Sequence, residues 1–315
     1  MLSSCFKTSV EPFKRFFASQ GIFDRELKRI HRDTIAKKDD MNEYEYMKND
    51  IVDDLLDRLS DMKKDFPVAV DLSCSSGRIF QQLKGRGNIK TLYQCDTSLE
   101  MLKLARKNNL SVDTKLKTEY IQIDDDFLPF KNNSINCVFS VLNIHWISDI
   151  YRCMKPDSLF LGCVFGGATL KELRRCLEVA EMAETKCLSQ HTSPLLQPSD
   201  LSTILQESGF VGATVDASTI TAEYRDIYQL MNHLRMMGEN NACIHRKEYI
   251  PKKVFNKAGQ LYLEKFGTPQ KTITATFNPI YLTGWKPDPN RKVLSPQTPT
   301  KSLNELLNEE TQVKS

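Results

Sequence analysis

From residue 68 to residue 165 the chain alternates short apolar runs with short stretches of helical spacing, and this alternation limits the fold more than any other feature. VAVDLS, TLYQCD, TEYIQID, INCVFSVLNIHW and LFLGCVFGG read as strands. GRIFQQLK and SLEMLKLARKN read as helices, the second with Leu99, Leu102 and Ala105 on one side. Strands separated by short helices imply a parallel sheet with right-handed crossovers. Strands this continuously apolar imply a sheet covered on both faces. The expected fold class is α/β, a doubly wound, mostly parallel, Rossmann-like sheet with helical additions.

The flanks extend this unit. Residues 44 to 62 place Met47, Ile51, Leu55, Leu56 and Leu59 at helical spacing, an amphipathic helix leading to the first strand. Residues 170 to 235 read as helices with a broken sheet edge: LKELRRCLEVAEMAE helical, SPLLQPSDLSTILQESGF a loop and helix, ATVDASTITAEY one strand, DIYQLMNHLRMMG a helix. KTITATFNPIYLTGWK alternates like a strand pair. Residues 1 to 21 hold Ser, Thr, Lys, Arg and Phe with one acid, Glu11, and resemble a mitochondrial presequence. The expected layout is a leader over 1–21, one domain over 22–286, and a proline-rich polar tail over 287–315 expected to be disordered.

Composition narrows the partners. Among 315 residues, 43 basic and 40 acidic side chains interleave to a formal charge of +3, which does not indicate a general grip on nucleic acid. No apolar run approaches the roughly 20 residues that span a bilayer, so membrane attachment is expected to be peripheral. The nine cysteines are scattered without a CxxC pair, which supports neither a zinc site nor a disulfide framework and fits a reducing compartment.

In an open parallel sheet, ligands bind at the carboxyl ends of the strands beside strand one. DLSCSSG occupies that place, with Asp71 ending the strand and Ser73, Ser75, Ser76 and Gly77 small enough for a ligand to approach the backbone. Asp96 ends the second strand, where a carboxylate can accept hydrogen bonds from both hydroxyls of a ribose. Asp124, Asp125 and Asp126 follow the third, where one carboxylate could receive an adenine amino group or the run could be a solvated loop.

VAVDLSCSSG, QCD, DDDFLPF and FSVLNIHW resemble, in order, the motifs of class I S-adenosylmethionine-dependent methyltransferases, and argue against NAD, whose loop would be GxGxxG. More narrowly, FLPF, LNIHWISD, KPDSLFLGCVFGGATLKELR, MNHLRMMGENNACIHRK and YLTGWK resemble the complex I assembly factor five family, the methyltransferase-like arginine hydroxylases, from about residue 22 to 286. That resemblance implies S-adenosylmethionine as cofactor and a place at the matrix face of the mitochondrial inner membrane. It implies hydroxylation of an arginine in the iron–sulfur subunit of complex I, near the quinone site, in early assembly intermediates. A true methyltransferase acting on a protein or an acyl acid, with an open path past Asn143 and His145, and an assembly chaperone without chemistry are the rival readings.

The sequence departs from that pattern twice. Where the family loop reads DLGCGxG, Ser73 and Ser75 replace the first two glycines; if both positions need positive φ, each serine costs roughly 1–2 kcal/mol and cofactor affinity falls. From residue 148 to 157 there is barely room for a crossover, which needs a dozen or more residues, so a stunted or displaced helix is expected before the fifth strand.

His145, after the fourth strand, is a candidate general base, with packing under a substrate lid as the alternative. His31 and Asp33 have the HxD spacing of an iron ligand pair but lie in a charged helical stretch that reads as a solvated face. His191, His233 and His245 could join a site only through folding. Trp285 is expected to be a buried anchor and Arg246 a surface or partner contact.

Overall fold

The computed structural model describes residues 22–112, 115–123, 127–143, 147–247 and 249–290. The expected leader and most of the expected tail lie outside these residues, as do Asp124, Asp125, Asp126, His145 and Trp146.

The alternation resolves as expected. After α1 (Arg25–Ala36) and α2 (Tyr46–Ser60) come β1 (Val68–Leu72), α3 (Arg78–Leu83), β2 (Thr91–Asp96), α4 (Leu99–Asn109), β3 (Lys117–Gln122), β4 (Ile135–Val141), α5 (Ile147–Cys153) and β5 (Met154–Phe165). Then follow α6 (Lys171–Thr185), α7 (Pro198–Glu207), β6 (Val211–Ala217), β7 (Ile220–Tyr224), α8 (Ile227–Met237), α9 (Lys252–Phe266), β8 (Ile273–Phe277) and β9 (Pro279–Lys286). The main sheet has seven strands in the order β3-β2-β1-β4-β5-β9-β6. Its first five are parallel, and β9 runs antiparallel to both neighbours. The order reverses between β1 and β4, so the loops after these strands share one edge.

The apolar strands feed two cores. Cys137 and Phe139 of β4 and Leu159, Leu161 and Cys163 of β5 pack with Leu55, Leu59 and Leu177 on one face. Val138 and Phe160, one residue out of phase, pack with Ile150, Leu201 and Phe210 on the other. That period of two puts successive side chains on opposite faces, and burial on both explains why β4 and β5 are largely apolar.

The crossover between β4 and β5 is as short as expected. α5 has seven residues and β5 begins at the next one. Lys286 makes this tight junction workable: its Nζ donates to the carbonyls of Tyr151 (2.8 Å) and Met154 (2.9 Å), satisfying the end of the helix. β5 then advances five residues, Met154 to Leu159, while β4 advances two, so the chain sheds its irregularity as a bulge at the sheet's entry edge.

Three expectations are corrected. The fourth strand stops at Val141 instead of running on through residue 146, because Leu142 turns to φ 58°. ATVDASTITAEY is two strands, and the closing alternating stretch is two strands that do not pair with each other: β6 pairs β9 in the main sheet, and β7 pairs β8 in a separate ribbon. Both chains break at one level, where Asn278 Nδ2 donates to Ser218 O (2.6 Å) and Ser218 N to Pro279 O (3.0 Å). Helix α9, not anticipated from the sequence, buries Val254, Ala258 and Tyr262.

A loop pinned from both sides at the sheet edge

The loop after β1 turns through three left-handed residues, Ser73 (φ 60°), Ser75 (φ 52°) and Gly77 (φ 85°). Both glycine-to-serine replacements therefore fall where the backbone needs positive φ, and each stores roughly 1–2 kcal/mol. Gly77 has a second constraint: a Cβ there would lie 2.8 Å from Asn109 Oδ1. Ser73 recovers part of its strain because its Oγ accepts from Asn143 Nδ2, whereas Ser75 Oγ reaches only Met101 Sδ at 4.0 Å. Ser75→Gly is therefore expected to raise stability by about 1 kcal/mol, relief of roughly 1–2 kcal/mol set against roughly 0.4–1 of added chain entropy. A higher denaturant midpoint at unchanged slope is the readout, with Ser75→Ala giving no such gain.

Asp96 is fully buried and saturated. Its Oδ1 accepts from Ser98 N (2.9 Å) and Arg32 Nε (3.0 Å), and its Oδ2 from Ser75 N (3.1 Å) and Arg32 Nη2. The expected ribose acceptor is in the expected place, but a guanidinium from α1 occupies it. On the opposite side of the loop Glu45, the residue before α2, is also fully buried and accepts from Ser76 Oγ (2.7 Å) and from Arg78 Nε (2.8 Å) and Nη2. Sequence reasoning missed both pins, because Arg32 and Glu45 lie in stretches that read only as charged or amphipathic helix.

Between loop and pins lies a cavity of about 50 Å³, lined by Arg32, Lys48, Asp71, Ser73, Asn143 and Glu239 among others. Lys48 Nζ donates to Met237 O (2.7 Å) at the end of α8. Asp71 Oδ2 and Asn143 Oδ1 are buried acceptors without a hydrogen-bond partner among the described residues. Burial, then the charge of Asp96, pushes the Asp71 carboxyl well above the usual carboxylate range, with Arg32 pulling the other way. Burial likewise raises the Cys74 thiol, which makes it a poor nucleophile. Loop, unpaired acceptors and Asp96 fit the chemistry of an adenosylmethionine site: acceptors for an ammonium and for ribose hydroxyls, cations for a carboxylate. The volume falls short of the roughly 300 Å³ at which small-molecule sites begin, so a nucleoside fits only with Arg32 withdrawn.

A second cavity, about 470 Å³, opens beyond β5 between α6, α8 and α9. Its wall is braced by buried Glu181, which accepts from Ser189 N (2.8 Å) and Oγ (2.7 Å) and Lys247 Nζ (2.9 Å) and pairs with His191 Nε2 (2.9 Å). Burial pushes this carboxyl up, but those hydrogen bonds outweigh it and hold its pKa at about 2. A folded value below the unfolded one, 4.5, stabilises the protein above that pH and is lost as pH falls from there towards 2. Glu181→Gln is expected to lose about 1.5–3 kcal/mol at neutral pH and to converge with the parent in acid, measured as unfolding free energy against pH.

The remaining candidates separate. His31 lines the larger cavity, whereas Asp33 accepts from Ser98 Oγ (2.5 Å) and Arg29, so the pair does not converge. Buried His233 bonds Tyr224 Oη (2.5 Å) and Tyr44 O (3.2 Å), a packing role. Among the described residues no group of three or more His, Cys, Asp or Glu could hold a metal. Trp285 packs half-buried against Phe66. Arg246 turns inward, where its Nη1 donates to Asp24 Oδ2 (3.3 Å) and Cys243 O (3.0 Å), clipping the start of α1 to the loop after α8.

A family model for a methyltransferase domain matches residues 70–161. The chain is 35% identical over 273 residues, 84% of its length and 78% of the relative's, to the mouse protein named "Arginine-hydroxylase NDUFAF5, mitochondrial". It is 31% identical over 312 residues to the Dictyostelium discoideum protein of the same name, covering 92% of this chain and 71% of that one. Its fold is similar to a putative methyltransferase from Bacillus halodurans, with a TM-score of 0.52 at 15% identity, covering 75% of this chain and 99% of that one.

Proposed function

The chain belongs to the NDUFAF5 family of mitochondrial arginine hydroxylases, and from that membership we propose that it hydroxylates a protein arginine, in the iron–sulfur subunit of complex I, during assembly of that complex. The observation that carries the enzymatic reading is the loop between β1 and α3, whose left-handed turns and two unpaired acceptors face a cavity. A chaperone would have no need to keep buried acceptors unpaired beside a cavity; the strained serines and the short crossover are the features that favour the chaperone. The reading places the protein in the mitochondrial matrix. No helix among the described residues is long and apolar enough to cross a membrane, and association with the inner membrane would be peripheral.

In this reading Asp96 accepts the ribose hydroxyls, Asp71 and Asn143 take up donors from the methionyl end, and Lys48 with the released Arg32 faces its carboxylate. S-adenosylmethionine, once bound, would supply an electrophilic sulfonium. Asp124 or Asp125 would receive the adenine amino group. His145, two residues beyond Asn143 in the sequence, would be the general base. The net reaction replaces an arginine C–H bond by C–OH; with dioxygen as the oxidant, one oxygen atom enters the product and the other leaves as water, with two electrons and two protons from an external reductant.

Calorimetric titration of S-adenosylmethionine into the full chain tests the site. One-to-one binding in the micromolar range supports it; no binding at physiological cofactor concentration would leave a chaperone on a methyltransferase fold.

A further inference from the structure

We propose that the 470 Å³ cavity is the substrate pocket, receiving an arginine side chain whose guanidinium pairs with Glu239; the assignment rests on the arginine-hydroxylase reading and gives it a binding site. Glu239 lines both this cavity and the small one beside the loop, so it stands at the partition where substrate and cofactor chemistry would meet. Among the described residues it is the one carboxylate lining the larger cavity. Among the described residues its side chain has no hydrogen bond or ion pair, although its charge is felt by Arg32 and Lys48. It follows Gly238 at the end of α8, where the helix presents its negative pole and adds to the attraction for a cation.

The other charges of the cavity do not oppose a cation as strongly as their number suggests. Arg246 is tied to Asp24 and Lys247 to Glu181, so two of the three basic residues arrive paired. His31 is held towards its neutral form by burial first, then by Arg246 and Arg235, and its buried Nδ1 lacks a hydrogen-bond partner. A neutral ring nitrogen of this kind can accept a further guanidinium N–H when the proton sits on Nε2. One part of the wall is apolar, with Leu173, Leu177, Leu234, Phe255 and Phe277 suited to the methylene stem of a long side chain. An arginine combines these demands: an apolar stem, a planar head with five donors, and bidentate pairing with one carboxylate.

The test has two readouts. Full-length protein is titrated with a fluorescein-labelled, acetylated peptide holding one arginine between apolar residues, and with its citrulline counterpart, an uncharged isostere. The parent is expected to prefer the arginine peptide by tenfold or more, and Glu239→Gln to erase the preference. With the iron–sulfur subunit as substrate, Glu239→Gln is expected to raise KM by about thirty-fold or more. Glu239→Asp should recover part of the loss, and Tm should fall only slightly in Glu239→Gln, because the carboxylate has no hydrogen bond or ion pair to lose and acts on Arg32 and Lys48 only through its charge. No preference for arginine in the parent, unchanged KM in Glu239→Gln, or weaker peptide binding only in Arg235→Ala would overturn the assignment. If the parent discriminates the peptides through Glu239 yet adds no oxygen, the pocket stands and the hydroxylase reading fails.

Discussion

Arg32→Met is expected to weaken the free protein and, at the same time, to improve its response to a nucleoside ligand. Removing one partner of a buried ion pair leaves the other charge uncompensated, at about 3–5 kcal/mol; Arg32 is 21% exposed, which favours the lower end. Asp96 keeps the amides of Ser75 and Ser98, so the loop stays in place with two fewer donors on its carboxylate. S-adenosylmethionine then no longer has to displace a guanidinium. The unfolding free energy should fall without ligand, and the stabilisation gained at a fixed ligand concentration should exceed that of the parent. Equal gains in both proteins would mean that Arg32 is not in the ligand's way.

Glu45→Ala is expected to reverse the second half of that pattern. It removes the carboxylate that Arg78 and Ser76 bond beneath the loop, with Arg78 only 17% exposed, and should also cost about 3–5 kcal/mol. No acceptor in the nucleoside pocket is freed, and the turn that shapes the pocket loses its support. Ligand stabilisation should therefore shrink below that of the parent. Together the two variants separate support of the loop from occupation of its ligand position, which loss of stability alone would not.

The parallel core was legible because burial on both faces writes near-continuous apolar runs such as LFLGCVF into the sequence, and their spacing is local information. The left-handed turns at Ser73 and Ser75 were foreseeable only as a conditional, since φ is not encoded in a serine. The true partner of Asp96 was not legible at all: Arg32 lies 64 residues away in a helix rich in charge, where nothing marks one arginine as the buried one. The same holds for Glu45 and for Glu239, whose importance comes from which cavities they face. The joint break of β6–β7 and β8–β9 was hidden because alternation continues through it; only the bond between Asn278 and Ser218 reveals that both chains change sheets together.

The most direct single measurement is the peptide mass of the complex I iron–sulfur subunit from cells with and without this protein. For an arginine hydroxylase, one arginine should carry the mass of an added oxygen when the protein is present and lose it when the protein is absent. A lost methylene mass instead would identify a methyltransferase, and an unchanged peptide with failed assembly a chaperone; either would contradict hydroxylation.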